Sequence, residues 1–234
     1  MDPDTLLYSH DGLTLTGQLF RPVGSPRAAV AVFPTIANPT PAVEAKARAL
    51  RDAGYAALIA DFYGEQPADM DAAHALAQPL RGDAEAFRSR IRPALTALAD
   101  AVPDVPMAAI GFCLGGHAVL ELARDGADLV LAASFHGLLQ THAPARPGAV
   151  KARLLVCHGD ADPLVPRAHV MAFWEEMDRA GADWHFHSYA GVLHAFTNPN
   201  APADSDNVAC DASGDRQSWA ALMSLLDELV GPAS

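Results

Sequence analysis

The sequence predicts an α/β architecture, a mostly parallel sheet with helices on both faces, and three observations carry that expectation. Short, continuously apolar runs at 28–33, 55–60, 105–110 and 129–135 have the composition of strands buried on both sides, as in parallel sheets covered by helices. Between these runs lie stretches with helical spacing of apolar residues, and the two kinds of segment alternate along the chain. Half of the 234 residues are hydrophobic and 19% are charged, which is enough apolar material for a substantial core.

Taken in order, residues 13–20 alternate around Gly17 and read as an antiparallel strand that ends at Arg21-Pro22-Val23-Gly24. The buried strand 28–33 is followed by an amphipathic helix over 41–53, with Pro41 at its start and Gly54 past its end. Strand 55–60 leads into an Ala-rich, mostly helical region over 68–101, which Pro79 and Gly82 break into two helices. Then come strand 105–110, helix 114–124, strand 129–135, strand 153–157, helix 167–180 and strand 183–189. A last helix runs from about 215 to 230. Residues 197–214 are irregular, a surface loop whose position after His194 places it near the mouth of any site there. No linker or repeat divides the chain, so 1–234 reads as a single domain. No long insertion between the sixth and seventh sheet strands suggests a lid or large cap domain, which favours small, accessible substrates.

Composition excludes several classes of partner. A formal net charge of -12, with no Lys/Arg cluster to reverse it locally, repels nucleic acid and anionic membrane surfaces. The first residues lack the basic and apolar regions of a signal peptide, and no apolar run reaches membrane-spanning length, so a soluble, cytoplasmic protein is expected. A small-molecule substrate is the expected partner, with the chain a monomer or small homo-oligomer. Cys113, Cys157 and Cys210 are odd in number and widely spaced, which fits a reducing compartment. Neither they nor the ten histidines form a metal-binding spacing, so no metal and no cofactor are expected.

The stretch most charged with chemistry is Gly111-Phe112-Cys113-Leu114-Gly115-Gly116, which places a thiol where a strand turns abruptly into a helix. Gly111 and Gly115 flank Cys113 at the spacing of a G-x-S-x-G nucleophile elbow, with Cys for Ser, and the first amides of the helix favour thiolate. On the hexapeptide alone, a small packing cysteine is as good a reading as a nucleophile. Two later strand ends decide between them, because ligands of open α/β sheets bind outside the carboxyl ends of the strands. One carries His158-Gly159-Asp160-Ala161-Asp162-Pro163, and the next carries Gly191-Val192-Leu193-His194-Ala195-Phe196. Nucleophile, acid and histidine thus arrive in the order of an α/β-hydrolase, with Asp160 a rival to Asp162 for the acid. A thiol of ordinary pKa ~8.5 is only slightly ionised near neutrality, so His194 would be needed to activate it.

These motifs, together with Asp61-Phe62-Tyr63-Gly64, resemble the dienelactone hydrolase family of α/β-hydrolases from about residue 10 to the final helix. The resemblance implies that Cys113, Asp162 and His194 form a triad, and that the backbone N–H groups of Leu114 and Ile36 form the oxyanion hole. It prefers Asp162 over Asp160, which then serves as a turn or capping residue. Dienelactone hydrolases proper carry a Glu where this chain has Thr35, and arginines for the substrate carboxylate near the positions of Glu65 and Asn198. Neither Glu65 nor Asn198 can do that work, so dienelactone is not the expected substrate. Tyr63 and Phe196 are candidates for the pocket wall, or else core, and His136 is expected to make a structural hydrogen bond. The resulting expectation is a hydrolase of small uncharged esters or lactones acting through an acyl-cysteine. Phosphotriester or thioester cleavage by the same triad and a non-catalytic binding module are the alternatives.

Overall fold

The computed structural model describes residues 2–202 and 205–231. Strands β1 (Asp4–His10) and β2 (Leu13–Phe20) form a hairpin whose two turn residues, Asp11 and Gly12, both hold positive φ. There follow β3 (Ala29–Phe33), α1 (Pro41–Asp52), β4 (Ala56–Ile59), α2 (Met70–Arg81), α3 (Ala84–Ala101), β5 (Met107–Phe112) and α4 (Leu114–Arg124). The chain continues through β6 (Leu131–Phe135), β7 (Arg153–Gly159), α5 (Arg167–Ala180), β8 (Trp184–Tyr189) and α6 (Ala212–Val230). One sheet has the order β1-β2-β4-β3-β5-β6-β7-β8. Strands β3 to β8 run parallel, and β1 and β2 pair antiparallel at one edge. The mostly parallel sheet and the antiparallel entry strand are both as the sequence predicts.

Side-chain alternation along the parallel strands divides the core into two layers. Ala31, Phe33, Leu58 and Val156 face a layer built with α2 to α5, while Val32, Ile59, Ile110 and Leu155 face one built with α1 and α6. Fully buried strands with no polar residue to spare read as continuous apolar runs, which is why they were legible.

The differences from the sequence reading are local. Strand β1 alternates only between exposed and half-buried positions, too weak an apolar signal to announce itself, and its pairing comes from β2. The helical region breaks at Gly82 and not at Pro79, which sits in the last turn of α2; Asp83 then caps α3 by accepting from the Glu85 and Ala86 N–H groups. Helix α6 starts at Ala212, three residues before 215, because Asp211 accepts from the Gly214 N–H at 2.6 Å. Strand β5 runs on to Phe112, directly against Cys113, and β7 runs on to Gly159.

Helix α4 is anchored at its far end by buried charge. Arg124 binds Glu176 at 2.9 and 2.8 Å and Glu121 at 3.0 Å, and Glu121 also accepts from Arg88 at 2.9 Å. All four side chains are buried, so each charge depends on its partners. Removing one partner from such a cluster costs ~3–5 kcal/mol. Among the described residues, no helix is long and apolar enough to cross a membrane.

Candidate active site

Cys113 is the hinge between β5 and α4, with φ 55 and ψ -114, a backbone conformation that side chains rarely adopt. The turn is so tight that a Cβ on Gly115 would lie 2.0 Å from the Phe33 carbonyl oxygen, and one on Gly111 would lie 2.0 Å from that of Gly115. Only glycine fits at either position. The Cys113 N–H is shared between the Phe135 carbonyl and Nδ1 of His136, both at 3.1 Å, which holds the strained residue in place.

The next two partners come from the ends of β7 and β8. Oδ2 of Asp162 lies 2.7 Å from Nδ1 of His194, and its Oδ1 accepts from the Leu164 N–H at 2.8 Å; both side chains are buried. Burial alone would lower the pKa of His194, but its bond to Asp162 and the neighbouring sulfur of Cys113 raise it to about 10. Burial likewise opposes ionisation of the Cys113 thiol. The imidazole of His194, the Leu114 N–H at the head of α4 and the charge of Arg81 outweigh it, so the thiol pKa is lowered. At rest, Nε2 of His194 makes no hydrogen bond of standard geometry. The sulfur and the imidazole are neighbours, each favouring the charged form of the other. Asp160, the rival acid, is turned away and holds Arg167 at 2.9 and 2.6 Å.

Above the half-buried Cys113 is a cavity of about 210 Å³, walled by Thr35, Ile36, Phe112, His136, Thr197 and Asn198 among others. Lys46 is its one lysine or arginine, and Asp215 pairs with it at 2.6 Å. Among the described residues, no acidic side chain lines this wall. Residues 35–38 form a tight turn, closed by the Asn38 N–H donating to the Thr35 carbonyl at 3.0 Å. Asn38 anchors the turn by donating to Asp61 at 2.8 Å, and Asp61 in turn accepts from the N–H groups of Tyr63 and Gly64. The hydroxyl of Tyr63 donates to the Ile36 carbonyl at 3.0 Å. These bonds fix Ile36 at the cavity wall, and Leu114, the first residue of α4, has an amide with no partner within the helix.

The five candidate wall residues separate in the structure. Thr35 and Asn198 line the cavity. Tyr63 lies behind Ile36 and supports it, and Phe196 is fully buried, packed edge-on against His136 at 5.2 Å between centroids. The side chain of Glu65 is exposed and outside the cavity, and its backbone carbonyl accepts from Asn38. Asn38, His136 and Thr197 are site residues that sequence reasoning did not single out for these roles. For His136 the signal was available only as a strand-end histidine, and for Thr197 only as the start of the loop near the site's mouth; for Asn38 there was none. Among the described residues, no group of three or more His, Cys, Asp or Glu side chains gathers that could hold a metal ion.

Comparisons with known proteins bear on the family and the fold. Residues 15–230 match the model of the dienelactone hydrolase family. The chain is 36% identical over 151 residues to an uncharacterised protein of Caenorhabditis elegans, covering 59% of this chain and 94% of that one. Among solved structures, one designated m3DLH superposes with a TM-score of 0.89 at 36% identity over 97% of both chains. A dienelactone hydrolase-like promiscuous phosphotriesterase from metagenomic libraries superposes with a TM-score of 0.89 at 35% identity, again over 97% of both.

Proposed function

The chain belongs to the dienelactone hydrolase family, an α/β-hydrolase fold, and we propose that it cleaves small uncharged esters or lactones through a covalent intermediate on Cys113. The observation that carries this reading is the Asp162–His194 bond at 2.7 Å beside a thiol of lowered pKa on a strained elbow. Cys113 would attack the carbonyl carbon as thiolate, with His194 holding the displaced proton and Asp162 fixing its tautomer. The oxygen that gains charge would be held by the Leu114 and Ile36 N–H groups. As the tetrahedral adduct collapses, His194 gives its proton to the leaving alkoxide and an acyl-cysteine remains. Water, deprotonated by His194, then attacks the thioester carbonyl and expels the thiolate, releasing the acid.

The character of the cavity supports an uncharged substrate. Its lysine is already paired, and neither Thr35 nor Asn198 carries a charge to meet a carboxylate. Thioester cleavage would use the same steps. A second reading, attack on phosphorus in a phosphotriester, is favoured by the likeness to the promiscuous phosphotriesterase. Steady-state rates on matched aryl esters, lactones, thioesters and phosphotriesters rank these classes. Replacing Cys113 by Ala should abolish turnover of whichever is best, and full activity in that variant would refute the nucleophile.

A further inference from the structure

We propose that the hydroxyl of Thr197, aimed by His136, is a specificity-determining hydrogen-bond donor to a third oxygen of the substrate. By a third oxygen we mean one beyond the oxygen in the oxyanion hole and the leaving oxygen. The inference rests on the ester-cleaving reading of the same site.

One ring proton at this site can be assigned. The backbone N–H of Cys113 can only donate, so Nδ1 of His136, 3.1 Å away, must accept and carries no hydrogen. His136 is buried beside His194 and is neutral, so its single ring proton sits on Nε2. Nε2 lies 2.9 Å from Oγ1 of Thr197, which therefore accepts. With that lone pair occupied, the hydroxyl proton of Thr197 must point away from His136. Among the described residues, His136 is the one hydrogen-bond partner of Oγ1. Thr197 lines the cavity over Cys113, so a donor is presented there.

The backbone just before Thr197 is held by the chain that follows it. Ala195 has a φ of 58, the Ala209 N–H donates to the His194 carbonyl at 3.1 Å, and the Asp211 N–H donates to that of Phe196 at 3.0 Å. A pre-aimed donor needs an acceptor, and leaving it unmet where the surrounding wall is apolar is costly. The carbonyl oxygen of an ester is taken by the Leu114 and Ile36 amides, and the leaving oxygen by His194. What remains for Thr197 is a further acceptor attached to the reacting centre. Simple acyl esters have none. Carbonates and phosphotriesters do, because their reacting carbon or phosphorus bears an additional alkoxy oxygen.

An isosteric pair tests this directly. Ethyl 4-nitrophenyl carbonate and 4-nitrophenyl butyrate share a leaving group and shape and differ by an oxygen in place of a methylene. The ratio of their kcat/KM values should fall about tenfold in Thr197→Val and stay within about threefold of wild type in Thr197→Ser. His136→Leu should move the ratio the same way, since the hydroxyl loses its orientation. The rate of Cys113 alkylation by iodoacetamide, unchanged in Thr197→Val, shows that the nucleophile is intact. An unchanged ratio in Thr197→Val overturns the proposal, as does an equal fall in Thr197→Ser or a parallel loss of alkylation. An inactive Cys113→Ala beside a Thr197→Val of unchanged ratio refutes Thr197 alone; an active Cys113→Ala refutes the underlying reading as well.

Discussion

His194 and His136 are buried side by side, their rings edge to face with centroids 5.1 Å apart, yet their surroundings drive them to opposite protonation states. Burial pushes both toward the neutral form. His194 is carried the other way by Asp162 and Cys113, whereas His136 meets no carboxylate and feels the charge of His194, so its pKa falls well below the usual value. Partners, and not depth, divide the two: one histidine is held in its charged form and the other in its neutral form. Each of the following experiments sharpens that contrast or removes it.

The largest effect should come from deleting the proton carrier. His194→Ala is expected to lower kcat by about a thousandfold or more, while His136→Gln, whose amide can still reach Thr197, should lose no more than about tenfold. Comparable losses would erase the distinction. Asp162→Asn should cost about 10²- to 10⁴-fold in kcat and let the His194 pKa fall toward its ordinary value of ~6.5. An NMR titration of the imidazole protons would follow this, with wild-type His194 titrating near about 10 and His136 remaining neutral throughout the neutral range.

Stability should follow opposite signs at the two histidines. The raised pKa of His194 means that its contribution is fully present below ~6.5, its ordinary value, and is lost as pH rises through about 10. The depressed pKa of His136 removes stability as pH falls below the same ordinary value. Denaturant midpoints measured across both ranges, in wild type and in His136→Gln, would show the acid loss relieved in the variant.

Thiol chemistry reads the same difference more gently. Iodoacetamide should label Cys113 of the wild type below the pH range of an ordinary thiol, and His194→Ala should move that profile up to or beyond ~8.5, the ordinary thiol value. Cys157 is buried, with its pKa pushed up to about 12, and should stay unlabelled in the folded protein. The smallest effect belongs to Asp160→Asn, which breaks only the exposed pair with Arg167 and should leave kcat/KM within about threefold.

How much of this could be read in advance depends on where the information lies. The elbow, the acid and the histidine each sit within a few residues of their own strand, and Gly111 and Gly115 announce the turn because a Cβ would strike backbone there. His136 is different. Its place under Cys113 follows from the pairing of Phe112 with Phe135 across β5 and β6, a register that no local pattern in either strand reveals. Asn38 and Thr197 act through partners 23 and 61 residues away, Asp61 and His136, so their roles emerge only when the sheet brings the loops together. Strand β1 was hidden for another reason, since an exposed edge needs little apolar patterning.

The cluster of Arg88, Glu121, Arg124 and Glu176 at the far end of α4 bears on how the molecule meets its solvent. Dissolved ions screen exposed charges over ~10 Å at 0.1 M, but they do not enter a buried cluster. Surface pairs such as Arg21 with Asp4 dissolve as ionic strength rises, while the helix that carries Cys113 keeps its mooring. A chain with net charge -12 can thus change its outer electrostatics from dilute buffer to brine without turning Cys113.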